Sequence, residues 1–470
     1  MSDWSLQALL ATWVVAALGL LSLYRAQRAP MSGLVFAYLV SLALIHWTGA
    51  FLYALPWYTS PQSAQVLTGF RQATYGLVAL TAGIVTWLTI AAGQSSVRLR
   101  RSAQNDRQQA SLSWCYLGIG LASYLLLIPL LGWVPTLGAV LAAAWSLFAI
   151  GVALKCRDAS DRGRPLQLVL WLGAVFLTPA LTIVTQGFLG YGVQVVTVVL
   201  VFLAMTTRHR LRWTILSILL VYPAMSFYVA YMAQRDALRQ SVWGGDPVKR
   251  RVVRLYDTAR TVEPFDVKNT AHLQFVDGRL NLNQLVGACV DYLANGAHAF
   301  ADGETLWYGV IAIAPRIIWP DKPVVAGSMG MVTKYTGITF GAGTSVGIGQ
   351  VMEFYMNFGV RGVVLGFFVL GLAVAAFDHA AAVALRSRDL AGFVFWFLPG
   401  MALLQAGGSM VEVTSSMAAG FVTAHVVNTH LLPALGFAPA GQDEARERRR
   451  RSAAGLPIAN GVRTRPPALR

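Results

Sequence analysis

The sequence predicts an all-α polytopic membrane protein of about eleven transmembrane helices, with one large helical segment outside the cytoplasm. Three observations predict it. The chain is 56% hydrophobic and only 12% charged, with a mean hydropathy of +0.55, whereas a soluble domain carries about a quarter charged residues. Apolar runs near 20 residues long recur, and each can cross a hydrocarbon core of roughly 30 Å. The connections between those runs alternate between basic and nearly uncharged.

The apolar runs fall at about 6–24, 32–53, 75–92, 112–131, 134–154, 165–187, 189–206, 213–232, 359–379, 390–407 and 413–433. The first has no basic segment before it and no small-residue cleavage site after it, so it reads as a retained helix and not as a signal peptide. Arg25 and Arg28 follow it, and the next connection, around Pro56, Trp57 and Tyr58, is almost bare. Basic clusters then recur at 98–107, 155–164, 208–212 and 386–388 and in the tail, separated by bare turns near Gly132 and Gly190. Because Lys and Arg collect on the cytoplasmic side, one threading satisfies every loop: N-terminus periplasmic, C-terminus cytoplasmic, eleven crossings. The chain then divides into a membrane bundle at 1–232, an external segment at 233–358, a second bundle at 359–433 and a basic tail at 434–470. That tail is rich in Arg, Pro, Gly and Ala, lacks core-forming residues and is expected to be disordered.

The net charge of +16 does not indicate nucleic acid, because of where it lies. Of 37 Lys and Arg, 23 fall in connections placed on the cytoplasmic side and 14 outside, a topology signal with room for anionic-lipid contacts. Cys115, Cys156 and Cys289 share no metal-ligand or redox spacing and read as small buried hydrophobes. Few ionisable residues interrupt the spans: His46, Asp378, Glu412 and His425, most near span ends. Ion and proton pathways need such groups, so their scarcity weighs against a transporter.

The external segment holds 11 of the 21 acidic residues in about a quarter of the chain, so the chemistry is expected there. Its first part is basic and amphipathic: Val248, Val252, Leu255 and Val262 recur beside Lys249, Arg250, Arg251, Arg254 and Arg260. This reads either as a helix lying on the membrane face or as a surface receiving a pyrophosphate-linked or acidic-sugar substrate. After a helical stretch at 282–300, Glu304 opens a short apolar run. Next comes Pro315-Arg316-Ile317-Ile318-Trp319-Pro320-Asp321-Lys322-Pro323. Three prolines in nine residues cannot continue a helix, so this is a rigid turn displaying Arg316, Trp319, Asp321 and Lys322. Trp319 also suits an interfacial anchor. The Gly-, Ser- and Thr-rich stretch 337–349 has no nucleotide-loop spacing and suits close backbone approach. Gln350, Glu353 and Asn357 then share one helical face at i, i+3 and i+7, as a substrate-facing stripe or a hydrogen-bonded cap.

The segments 315–323 and Gly349-x-x-x-Glu353-x-Tyr355-x-Asn357-Phe358-Gly359 resemble the oligosaccharide repeat-unit polymerases, the O-antigen polymerase (Wzy-type) family. Both lie late in the large external loop, as in that family, and Arg316 and Gly327 stand at an Arg–Gly spacing found in some members. In contrast to members with two sizeable periplasmic loops, the other external connections here are short. The resemblance implies a GT-C-like glycosyltransferase in a bacterial inner membrane. It would move a growing glycan from polyprenyl pyrophosphate onto a new lipid-linked repeat unit. It also implies partners: polyprenyl-pyrophosphate-linked oligosaccharides and membrane lipid, together with a chain-length regulator and a flippase, and no nucleic acid. On that chemistry Arg316 stabilises the departing pyrophosphate, and Glu353 or Asp321 accepts the proton of the acceptor hydroxyl. Lys322, Trp319, Gln350, Tyr355, Asn357, Arg361 and Glu304 would bind substrate. No metal or cofactor is expected, since His272 and His298 have no companion ligand motif. A ligase using the same donor, a flippase or transporter for lipid-linked sugar, and a non-catalytic export subunit are the competing readings.

Overall fold

In a computed structural model, described over residues 5–93, 106–134, 137–314, 318–319, 321–323, 328–341, 344 and 346–437, the chain is all-helical, with no strand among the described residues. The predicted tail lies outside them beyond residue 437, as do Arg316, Gly327 and the basic cluster at 98–101. Eight helices are long and apolar enough to cross a membrane, and three shorter apolar ones, Leu34–Ile45, Gly190–Thr206 and Leu390–Ala402, lie among them. The protein is thus an α-helical protein of multi-pass membrane type.

The N-terminal part contains α1 (Leu6–Ala26), α2 (Leu34–Ile45), α3 (Trp47–Leu52), α4 (Ser63–Gly93), α5 (Asp106–Ala122), α6 (Ile128–Leu131), α7 (Leu137–Asp161), α8 (Pro165–Gln186), α9 (Gly190–Thr206) and α10 (Arg210–Trp243). α5 and α6 form one rod through a π-helical turn at Ser123–Leu127. Pro129 follows that turn, and a residue without an N–H favours such a local change of register. α10 runs on past the expected boundary at 232, because Gly and Pro are absent from 224–243. Its 34 residues span about 50 Å, more than a hydrocarbon core requires.

Five shorter helices follow: α11 (Val248–Arg260), α12 (Thr270–Asp277), α13 (Asn283–Ala294), α14 (Glu304–Ala312) and α15 (Ser328–Thr336). The last spans are α16 (Gln350–Arg386), α17 (Leu390–Ala402) and α18 (Met410–Val426), the last continuing through a π turn into α19 (Leu432–Ala434). The short helices pack on one end of the bundle: α11 on α8 and α10, α12 on α3 and α10, α13 on α4 and α16, and α14 on α18.

Glycine sets the closest crossings, as expected where helices associate without a hydrophobic driving force. A Cβ on Gly69 would stand 1.9 Å from the Asn283 carbonyl oxygen, and one on Gly287 2.0 Å from that of Gln65, so α13 lies backbone to backbone on α4. Gly83 and Gly371 do the same where α4 crosses α16. α13 also accounts for an unexpected break. The expected single span at 32–53 is interrupted at His46, where the Leu282 amide donates to the Ile45 carbonyl at 2.9 Å. The Asn283 side-chain amide donates to the His46 carbonyl at 2.7 Å. The Leu282 amide thus supplies a donor to a carbonyl at the bend, while the His46 carbonyl takes the Asn283 amide in addition to that of Ala50 at 3.0 Å.

Asp378, in the last third of α16, is fully buried and caps another helix. Its Oδ1 accepts from the Ser32 hydroxyl (2.9 Å) and from the amides of Ser32 (3.1 Å), Gly33 (2.8 Å) and Leu34 (2.7 Å) at the start of α2. A carboxylate at a helix N-terminus meets unpaired N–H groups and the positive end of the dipole. This intramembrane acid is tied into the fold.

Candidate functional site

α16 is two helices in line. Phe358 (φ −140°, ψ 22°) and Gly359 (φ 61°, ψ −147°) break it, and the latter conformation is essentially reserved for glycine. The break frees the Met356 carbonyl, which accepts from the Ala301 amide at 2.8 Å. Asn357 completes the junction. Its Oδ1 accepts from the Gly303 amide at 2.9 Å, and its Nδ2 donates to the Thr305 hydroxyl and the Glu353 carbonyl, both at 2.7 Å. Asn-Phe-Gly is therefore a helix break that holds the start of α14.

The segment before the break, 350–357, carries the three aligned polar residues, all fully buried. Gln350 Oε1 accepts from the Tyr38 hydroxyl of α2 at 2.5 Å, and its Nε2 donates to the Gln405 carbonyl at 3.4 Å. Glu353 Oε2 accepts from the Met410 amide at 2.6 Å and so caps α18 from outside. α18 has its own capping box, Ser409 with Glu412, which occupies the neighbouring donors. Among the described residues no hydrogen bond of ordinary geometry reaches Glu353 Oε1; the Thr305 hydroxyl lies against the same carboxylate. The stripe therefore faces protein and meets the hydrogen-bonded alternative the sequence left open.

α14 joins this cluster to the proline-rich turn. Besides the contacts of Gly303 and Thr305 with Asn357, its Gly309 carbonyl accepts from the Thr414 hydroxyl of α18 at 2.5 Å. At its C-terminal end, Lys322 Nζ donates to the carbonyls of Ala312 (3.2 Å) and Ala314 (3.0 Å), an amine closing the end of the helix. The turn displays Trp319 and Asp321 on the surface. Glu304 is exposed, accepts from the Tyr308 hydroxyl at 3.0 Å and lies 3.9 Å from Lys334 Nζ. That carboxylate holds the Tyr308 phenol above its ordinary pKa.

The other expected site residues scatter. Tyr355 is buried against Phe300, and Arg361 is exposed beyond the break. Gly347 and Gly349 pack on the Ala406–Gly407 backbone, with the Gly349 and Gln350 amides each donating at 3.1 Å to a carbonyl there. The glycine-rich stretch thus serves close approach at those positions. His272 accepts from the Asp266 amide and His298 contacts its neighbour's carbonyl. Among the described residues no three His, Cys, Asp or Glu side chains group as metal ligands. Cys289 is buried, and burial pushes its thiol up to about 12. The sequence reading missed Tyr38, Thr305 and Asn283. Thr305 follows Glu304 directly and had a local signal, whereas Tyr38 lies inside an apolar run and Asn283 in the polar start of a helix, with partners 312 and 237 residues away.

The model of the family described as domain of unknown function DUF8712 matches residues 44–431, and the chain belongs to that family. The match covers both halves of the bundle and every element of the cluster except Tyr38. No curated protein and no solved structure matches the chain.

Proposed function

We propose that this DUF8712 member is a glycosyltransferase that polymerises polyprenyl-pyrophosphate-linked oligosaccharides on the periplasmic face of a bacterial inner membrane. One observation carries the reading. Of the two segments that resemble repeat-unit polymerases, the described residues of 315–323 meet one end of α14 through Lys322, and 349–359 meets the other through Asn357. Residues that are distant in sequence and resemble one family's motifs thereby form one structural unit. The eight long and three short apolar helices also coincide with the eleven expected crossings, which supports a periplasmic N-terminus and cytoplasmic C-terminus.

In the proposed reaction an acceptor hydroxyl attacks the anomeric carbon of the donor glycan. The carbon–oxygen bond to pyrophosphate breaks, and polyprenyl pyrophosphate leaves with the electron pair. Its negative charge calls for fixed cations, for which Arg316 is the first candidate, with Arg361 supporting. Lys322 adds charge while holding the turn. Of the two candidate acids, Asp321 is exposed and Glu353 enclosed, so Asp321 is the carboxylate that can take the acceptor's proton without rearrangement. The hydrogen-bonded settings of Asp378 and His46 weigh against a transport pathway through the bundle.

The test supplies purified protein in vesicles with a polyprenyl-pyrophosphate-linked oligosaccharide and separates the products by length. A ladder that disappears in Arg316→Ala and Asp321→Asn supports polymerisation. Unchanged lengths with movement of substrate between leaflets would sink it. Cysteine labelling should find Pro320→Cys outside and Arg388→Cys inside, and the opposite result removes the site from the donor's side.

A further inference from the structure

The basic helix α11 plays no part in the cluster around α14, yet its three faces are chemically distinct. One face packs on the protein: Leu255 joins Ile183, Val184, Leu189, Tyr231 and Leu238 of α8–α10. Arg251 is spent on the same side, donating to the carbonyls of Asp246 (2.7 Å) and Val184 (3.3 Å). A second face is apolar and exposed. Val248, Val252 and Tyr256, spaced four residues apart, are 60%, 49% and 59% exposed. The third face is largely cationic, with Lys249, Arg250, Arg254 and Arg260 against the single acid Asp257 within the helix and one exposed apolar residue, Val253. Exposed valines beside four cations are costly in water and favourable where acyl chains meet charged headgroups.

A separate observation places this helix at such a boundary. α11 follows α10 by four residues, and α10 ends in an aromatic group. Trp243 and Tyr191 are each 54% exposed, and Phe188 lies within 6 Å of both. Arg239 stacks over Phe188 at 4.5 Å and over Trp243 at 5.3 Å. Half-exposed Trp and Tyr at the common end of three apolar helices are what the headgroup level of a bilayer selects.

We infer that α11 lies in the membrane interface and binds the phosphates of anionic phospholipid, with Val248, Val252 and Tyr256 in the acyl region and Lys249 and Arg260 on the headgroups. These two cations are the ones available. The Lys249 side chain makes no hydrogen bond or ion pair with the described residues and is exposed, and Arg260 is stacked on the exposed Tyr256 at 5.4 Å. Arg250 and Arg254, in contrast, share Asp246 at 2.7 and 3.8 Å. The ligand is the bilayer's own phospholipid, so the inference needs only the membrane setting and is read without any sugar substrate.

Two measurements on the full chain test it. Nitroxide labels at Val252→Cys and Asp257→Cys, in a background with the three native cysteines replaced, are compared in vesicles of phosphatidylglycerol and phosphatidylcholine. The label at 252 should favour oxygen over a nickel chelate and the label at 257 the reverse; equal nickel access at both overturns the buried face. Purified wild type and K249Q/R260Q are then equilibrated with the same mixed lipids, and the retained lipid is identified by mass. The variant should lose at least about fivefold of its preference for phosphatidylglycerol, the factor expected for one interfacial cation, with its melting temperature in neutral lipid unchanged. An equal lipid ratio in the two proteins overturns the phosphate contact.

Discussion

The two motif segments are built in opposite ways, although both serve α14. Residues 350–357 turn every polar side chain into the protein, and Gln350, Glu353 and Asn357 are wholly enclosed with partners on α2, α18 and α14. The described part of the turn around 318–323 exposes Ile318, Trp319, Asp321 and Pro323, and its half-buried Lys322 sets one amine on two carbonyls. The first segment is a frame and the second a display. If so, substitutions in the frame should cost stability first, and substitutions in the display should cost only activity.

The largest expected effect is Glu353→Ala. It removes the acceptor of the Met410 amide in a place water does not reach, and an unsatisfied buried donor together with the lost packing costs about 3 kcal/mol. Glu353→Gln keeps an acceptor oxygen of similar reach and should melt within a few degrees of the wild type in detergent. If alanine and glutamine are equally harmless to the melting temperature, Glu353 is not framing α18, and the contrast between the segments fails.

Gly359→Ala comes next. The site's positive φ with ψ near −147° is strained for any side chain by about 1–3 kcal/mol. The nearest atoms to a Cβ there, on the Phe300 ring, are 3.8 Å away, so backbone strain and not a clash is what the melting temperature would report. An unchanged melting temperature would mean that the break tolerates another conformation.

The display is probed by Trp319→Ala and Asp321→Asn. Both residues are exposed, so each should shift stability by less than about 0.5 kcal/mol. On the proposed function both reduce polymer length or rate. Loss of folding in either variant would show the turn to be structural as well, and the difference between the segments would disappear.

These contrasts explain what the sequence could and could not disclose. Hydropathy and the alternation of basic loops made the helical membrane class readable, because lipid imposes one pattern over 20 residues at a time. The i, i+3, i+7 alignment of Gln350, Glu353 and Asn357 was equally local. Which side of that alignment meets protein was not, because it depends on Tyr38 and Met410, brought in from 312 and 57 residues away. The break at His46 was unreadable for the same reason: one histidine in a run long enough to span does not by itself signal a bend, and the side-chain donor that meets the bend belongs to α13. Asp378 stood out in the sequence as an intramembrane acid, but only the approach of α2 identifies it as a cap.

The smallest effect belongs to the other surface tether, Asp246, which resembles the Lys322 turn in relying on polar contacts of half-buried groups. Its carboxyl is held below the usual carboxylate range, first by the Ser241 hydroxyl at 2.6 Å and then by Arg250 at 2.7 Å. A depressed pKa means that the folded state favours the charged form, so the contribution is present at neutral pH and is lost as pH falls through the folded value. Protection of the α11 amides against hydrogen exchange, corrected for intrinsic rates, should hold from neutral pH down to about 5 and decline below about 4. Asp246→Asn should begin lower and show no such decline. A loosening centred between pH 6 and 8, or one that persists in Asp246→Asn, would assign the dependence to another group. Because α11 also rests on Leu255 and on the carbonyl contacts of Arg251, the helix should stay docked while its N-terminal turn loosens.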